Sequence, residues 1–160
     1  TFNWWLEVAI AVICLAIWWK LVDKKRLLEL TFYGFTVQTI VIWLDEAGYE
    51  LGLWYYPVDL IPIFPPSTAI DYVLLPVIYA LVYQYCRSRK AFISSTILMA
   101  GIFSFILEPL LSKFGFYVVV HWSSFYSFPT YTAIAIIMKA IVGLILAVMA
   151  RHQEQASKLH

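Results

Sequence analysis

Apolar residues run along this chain in long blocks, and short polar clusters interrupt them at nearly regular intervals. The blocks cover about Asn3 to Leu21, Leu27 to Leu44, Thr68 to Tyr85, Phe92 to Leu111 and Thr130 to Ala150. A helix needs roughly 20 mainly apolar residues to cross about 30 Å of hydrocarbon, which is the length of these blocks. In lipid, every backbone N–H and C=O must be satisfied within the segment, and a helix does this. The pattern therefore predicts an all-α, polytopic transmembrane helical bundle of about five spans. Residues 1–157 read as a single transmembrane domain, and Lys158-Leu159-His160 reads as the scar of a tag.

Composition agrees with the pattern. The 160 residues are 62% hydrophobic and 13% charged, and mean hydropathy is +0.80. Soluble domains carry roughly 45–50% apolar and about 25% charged residues, so a water-soluble fold of this length could not hide so much apolar surface. A net charge of +1 without a basic stripe argues against a nucleic-acid partner. The first block has no basic n-region and no small-residue cleavage site, so it reads as a retained span.

The charges also set a direction. Lys20, Lys24, Lys25 and Arg26 follow the first block, Arg87, Arg89 and Lys90 follow the third, and Arg151 follows the fifth. Cytoplasmic loops collect Lys and Arg, so these clusters place the N-terminus outside and the C-terminus inside. Glu7, Asp45, Glu46, Glu50, Asp59, Asp71 and Glu108 then fall in the outer half. The expected location is a cell membrane crossed several times, a bacterial plasma membrane.

The chain also repeats itself. Leu44-Asp45, six residues, then Gly52-Leu53-Trp54 matches Leu107-Glu108, six residues, then Gly115-Phe116-Tyr117. Phe64-Pro65-Pro66-Ser67-Thr68-Ala69-Ile70 matches Phe128-Pro129-Thr130-Tyr131-Thr132-Ala133-Ile134. Two tandem two-helix repeats follow, one over about residues 24–86 and one over about 87–150. An even number of spans separates them, so they share a topology and an axis near the membrane normal. Each acid should close an outgoing helix, and Thr68 and Thr132 should cap the next inbound one.

Candidate chemistry is sparse. Asp45, Asp71 and Glu108 are the acids that could act near the outer side. Lys139 lies nine residues into the fifth block, roughly 14 Å deep at 1.5 Å per residue. An ionisable group at such depth is a functional candidate, and Glu108 is its expected partner. Glu7 falls at similar depth and joins the same expected pocket. Trp54, Tyr56, Tyr117, His121 and Trp122 lie in the outer loops, where rings serve either as an interfacial belt or as a cavity wall. Thr36, Gln38 and Thr39 read as helix bridges. Pro109 should break its helix beside Glu108, and Pro76 should kink the third span. Cys14 and Cys86 have no metal spacing and are not expected to pair, and neither a metal site nor a cofactor motif stands out.

The stretch from Trp43 to Tyr79 holds Asp45, Gly52, Trp54, Tyr56 and Pro57 in one order. It resembles the repeated unit of the membrane lycopene cyclases of the heterodimeric type, over about a quarter of the chain. That family's adjacent acidic pair after the proline is replaced here by Pro66-Ser67-Thr68-Ala69, with Asp71 the nearest acid. The whole chain also resembles small multi-span membrane proteins of spore-forming Firmicutes. The cyclase resemblance implies a membrane terpenoid or carotenoid cyclase-like lyase or isomerase. Asp45, Asp71 and Glu108 would then protonate an isoprenoid. The residues themselves point first to an outward acidic and aromatic pocket that binds a membrane lipid, a small hydrophobic solute or a partner subunit of a homo- or hetero-oligomer.

Overall fold

A computed structural model describes residues 2–57 and 69–157. Within them the chain is all-α apart from one short ribbon. Helix α1 spans Phe2–Leu21, α2 Leu27–Glu50, α3 Leu75–Tyr85, α4 Arg89–Ile102, α5 Glu108–Lys113 and α6 Ser124–Ser157. Three apolar stretches are long enough to cross a membrane: Lys24–Glu50, Arg89–Lys113 and Ser124–Gln155. Ile70–Tyr85 is a shorter apolar helix.

The core lies between α2, α3, α4 and α6. Leu30, Tyr33, Val37, Leu75, Tyr79, Phe92, Met99, Phe103, Ile134 and Val142 are buried together. Tyr33 stacks on Tyr83 with ring centroids 4.3 Å apart, and the phenols of Tyr33 and Tyr79 find acceptors on α6. Tyr33 donates to the Ala135 carbonyl at 3.3 Å, and Tyr79 to that of Tyr131 at 2.8 Å. Helix α1 packs against α3 and the turn before it. At the other end of α1, Gln84 of α3 donates to the Leu21 carbonyl and accepts from the Asp23 N–H.

Pro76 and Pro109 each follow a π-helical turn, Ile70–Leu74 before Pro76 and Phe103–Leu107 before Pro109. A π turn inserts one residue, so the amide of Leu75 reaches back five positions to Ile70, and that of Glu108 to Phe103. Proline has no N–H to offer the carbonyl four residues earlier. For Pro76 that carbonyl belongs to Tyr72, and the Gln38 side chain of α2 supplies the missing donor at 2.8 Å. Gln38 is thus a helix bridge, as expected. Thr36 and Thr39 are not: each hydroxyl donates within α2, to Phe32 and Phe35.

Three boundary expectations are corrected. Asp45 does not close its helix, because α2 runs on to Glu50 and stops only where Gly52 turns left-handed at φ 68°. Glu108 and Pro109 do not end theirs either, since the π turn absorbs the proline and α5 continues to Lys113. Helix α6 begins at Ser124, so Pro129 lies inside it and Thr132 donates to the Phe128 carbonyl instead of capping an N-terminus. Asp59, Pro65 and Thr68 lie outside the described residues.

The ribbon joins the segment after α2 to the segment after α5. Strands β1 (Trp54–Tyr55) and β2 (Val118–Val119) pair antiparallel, with Trp54 opposite Val119 and Tyr55 opposite Val118. Gly115 precedes β2 with φ 76°, as Gly52 precedes β1. The Leu53 carbonyl accepts from the amides of both Val120 and His121 at 2.9 Å.

Candidate functional site: an acidic pocket walled by aromatic rings

The helix ends and the ribbon enclose a cavity of about 100 Å³. Asp45 of α2, Asp71 of the first π turn and Glu108 of α5 all line it. So do Trp54, Tyr56, Tyr117 and Trp122. Seven sequence-level candidates from five separate segments therefore meet in one place.

Two of the acids are held in similar ways. Asp45 accepts from the Trp54 indole N–H at 3.0 Å, and the Tyr56 hydroxyl donates to the same Oδ1. Glu108 Oε1 accepts from the Tyr131 hydroxyl at 2.9 Å. The hydroxyls of Ser124 and Ser127 also lie against Glu108. Each carboxylate is therefore oriented by an aromatic donor from the wall of the same cavity. The rings pack on one another: Trp54 meets Trp122 edge-on at 5.1 Å, and Tyr56 lies 5.6 Å from Tyr117. Burial, then the charges of Asp71 and Asp45, push the Tyr56 phenol well above its ordinary pKa. Burial, followed by Glu108, raises that of Tyr117. Both phenols stay protonated donors at neutral pH.

Gly48 makes this arrangement possible. A Cβ there would stand 2.0 Å from Trp54 Cζ2 and 2.2 Å from Cη2. The bare backbone lets the indole lie across the last turns of α2 and reach Asp45 one helical turn back.

Three candidates fall elsewhere. Lys139 does not pair with Glu108. It lies eight residues beyond Tyr131 on α6, about 12 Å further along at 1.5 Å per residue. Its ammonium sits 3.7 Å over the Phe92 ring and 5.5 Å from that of Tyr83. The pairing expectation fails because packing, not distance from a boundary, decides what a helical residue meets, and α6 starts six residues before Thr130. Glu7 is buried on α1 and does not line the cavity. His121 is exposed beyond β2 and also stands outside the lining.

Tyr131 and Ser127 are pocket residues that sequence reasoning did not select. A signal was present: Ser124, Ser127 and Tyr131 recur at helical spacing within an otherwise apolar run.

Among the described residues, no group of three or more His, Cys, Asp or Glu side chains converges closely enough to hold a metal ion. Among the described residues, the lining contains no lysine, arginine or histidine. The carboxylates are thus spread around a cavity wall instead of being focused on one point. Such a site suits an organic ligand that is apolar in bulk and offers a hydrogen-bond donor or positive charge.

Fold and site together define an all-helical protein with membrane-length apolar helices and an acidic, aromatic cavity at one end. Compared with protein families, curated proteins and solved structures, the chain finds no match.

Proposed function

We propose that this chain is a multi-pass membrane protein whose acidic, aromatic pocket binds a membrane lipid or a small hydrophobic solute on the outer side of the plasma membrane. The observation that carries the reading is the meeting of Asp45, Asp71 and Glu108 with Trp54, Tyr56, Tyr117 and Trp122 around one cavity.

The reading includes five spans, with the N-terminus out and the C-terminus in, and two tandem repeats. Several observations support the repeats. Gly52 and Gly115 share a left-handed conformation. Asp45 and Glu108 each accept from an aromatic hydroxyl. Tyr55 faces Val118, its own counterpart 63 residues on, which is the register a two-fold axis through the ribbon would produce. The pocket would then lie on that axis, with one acid from each repeat. The basic segments Lys24–Arg26 and Arg87–Lys90 follow the opposite helix ends, in keeping with the proposed orientation.

A second reading, a cyclase-like enzyme, draws on the same geometry. Carboxylic acids in a pocket of rings could protonate an alkene while the ring faces stabilise the cation that forms.

Mass spectrometry of lipids and solutes that co-purify with the protein tests both readings. Binding predicts a species retained by the wild type and lost from Asp45→Asn and Glu108→Gln. Catalysis predicts a new or depleted species in whole-cell extracts that requires intact Asp45. Identical profiles from the wild type and both variants would remove the pocket from consideration.

A further inference from the structure

At the end of the bundle away from the acidic pocket, Arg26, Tyr83, Arg87 and Lys139 line a separate cavity of about 350 Å³. We propose that this cavity binds a phosphate-bearing anion, presented as the headgroup of an anionic phospholipid.

The argument begins with the acids. Arg26 forks onto Glu29, with Nη2 at 2.8 Å and Nε at 3.1 Å from the two carboxylate oxygens. Tyr83 donates to the same carboxylate at 2.8 Å. Glu29 is therefore already committed. Lys139 and Arg87 form no hydrogen bond or ion pair with any described residue, and Arg87 feels the Glu29 charge only from a distance. Three cations line a single cavity and the one carboxylate bound to them, Glu29, is held by Arg26, which leaves two positive charges in excess.

A lysine on a membrane-length helix is costly unless something answers its charge. The rings of Phe92 and Tyr83 answer it in part, and Lys139 also lines the cavity. Guanidinium and ammonium groups together are the donors that phosphate oxygens prefer, and basic pockets between membrane helices are suited to anionic headgroups. The surroundings choose the source of the phosphate. Lys139 stands on a helix long and apolar enough to cross a membrane, and Ile136, about one turn before it on the same face, is an exposed apolar side chain. An anion reaching Lys139 across that surface gains by carrying acyl chains, which a free ion lacks.

The test is native mass spectrometry of the full chain in detergent, with matched phosphatidylglycerol and phosphatidylcholine and with inorganic phosphate added separately. The expected result is retention of phosphatidylglycerol over phosphatidylcholine. Arg87→Gln and Lys139→Gln should each weaken that retention at least about tenfold, since each removes a charge-assisted hydrogen bond to phosphate. Arg87 is exposed, so its variant should fold even if Lys139→Gln does not. Arg151→Gln, a basic change on α6 outside the cavity, should leave the preference intact. Equal retention of the two lipids, or undiminished preference in Arg87→Gln, would overturn the proposal. Displacement of phosphatidylglycerol by millimolar inorganic phosphate would overturn the lipid assignment.

Discussion

Replacing Gly48 with alanine separates two physical effects of opposite sign. In an exposed helix interior, alanine is favoured over glycine by about 1 kcal/mol. Here the new methyl would lie 2.0 Å from the Trp54 ring, so the indole must swing away. Its N–H then leaves Asp45, which costs about 1.5–3 kcal/mol for a bond to a charged group. Its edge also leaves Trp122, worth about 0.5–1.5 kcal/mol. The balance is a destabilisation of about 1–3.5 kcal/mol. Reversible unfolding in mixed micelles measures this, and tryptophan fluorescence reports the indole's new surroundings. Removing the ring first should reverse the sign. On a Trp54→Ala background, Gly48→Ala should stabilise the protein by about 1 kcal/mol. Stabilisation by Gly48→Ala in the wild-type background would refute the placement of Trp54 across α2.

Other outcomes follow from single contacts. Gln38→Leu should destabilise by about 1–3 kcal/mol, because the Tyr72 carbonyl loses the donor that stands in for Pro76; unfolding in the same micelles checks this, and an unchanged midpoint would mean that something else serves the carbonyl. Tyr56 and Tyr117 should resist ionisation at alkaline pH. A phenol whose pKa is raised in the folded state contributes stability that is fully present below the unfolded value of about 10 and is lost as pH rises through the folded value. In a tyrosinate absorbance titration, Tyr56→Phe and Tyr117→Phe should therefore remove no amplitude below about pH 11, and loss of amplitude near pH 10 would contradict their burial.

The helices were legible because lipid imposes a coarse requirement: a run of apolar residues long enough to cross. The Asp45–Trp54 and Glu108–Tyr117 spacings were legible because the chain states them twice. The π turns were not, since one inserted residue leaves composition and hydropathy unchanged. The reach of α2 to Glu50 was hidden by its charges, which look like a loop but suit the wet end of a helix. The partner of Lys139 was not legible, because hydropathy fixes which segments are helical and not their mutual height. That height is set by contacts such as Tyr33 with Ala135 and Tyr79 with Tyr131, which join residues far apart in sequence. Tyr131 was overlooked for a related reason: in a chain with 11 tyrosines, one that grips a carboxylate looks like any other.

The pairing of β1 with β2 also bears on the order in which the protein is made. Asp45, Trp54 and Tyr56 leave the ribosome early, but Tyr55 must wait for Val118, 63 residues later. At about 5–20 residues per second that delay is roughly 3–13 s. During this interval the first half of the pocket has an acid and its aromatic donors but no opposite wall. The cavity therefore closes only once the segment around Val118 has been made, and a nascent chain arrested before Val118 would expose Trp54 and Asp45 to whatever is nearby.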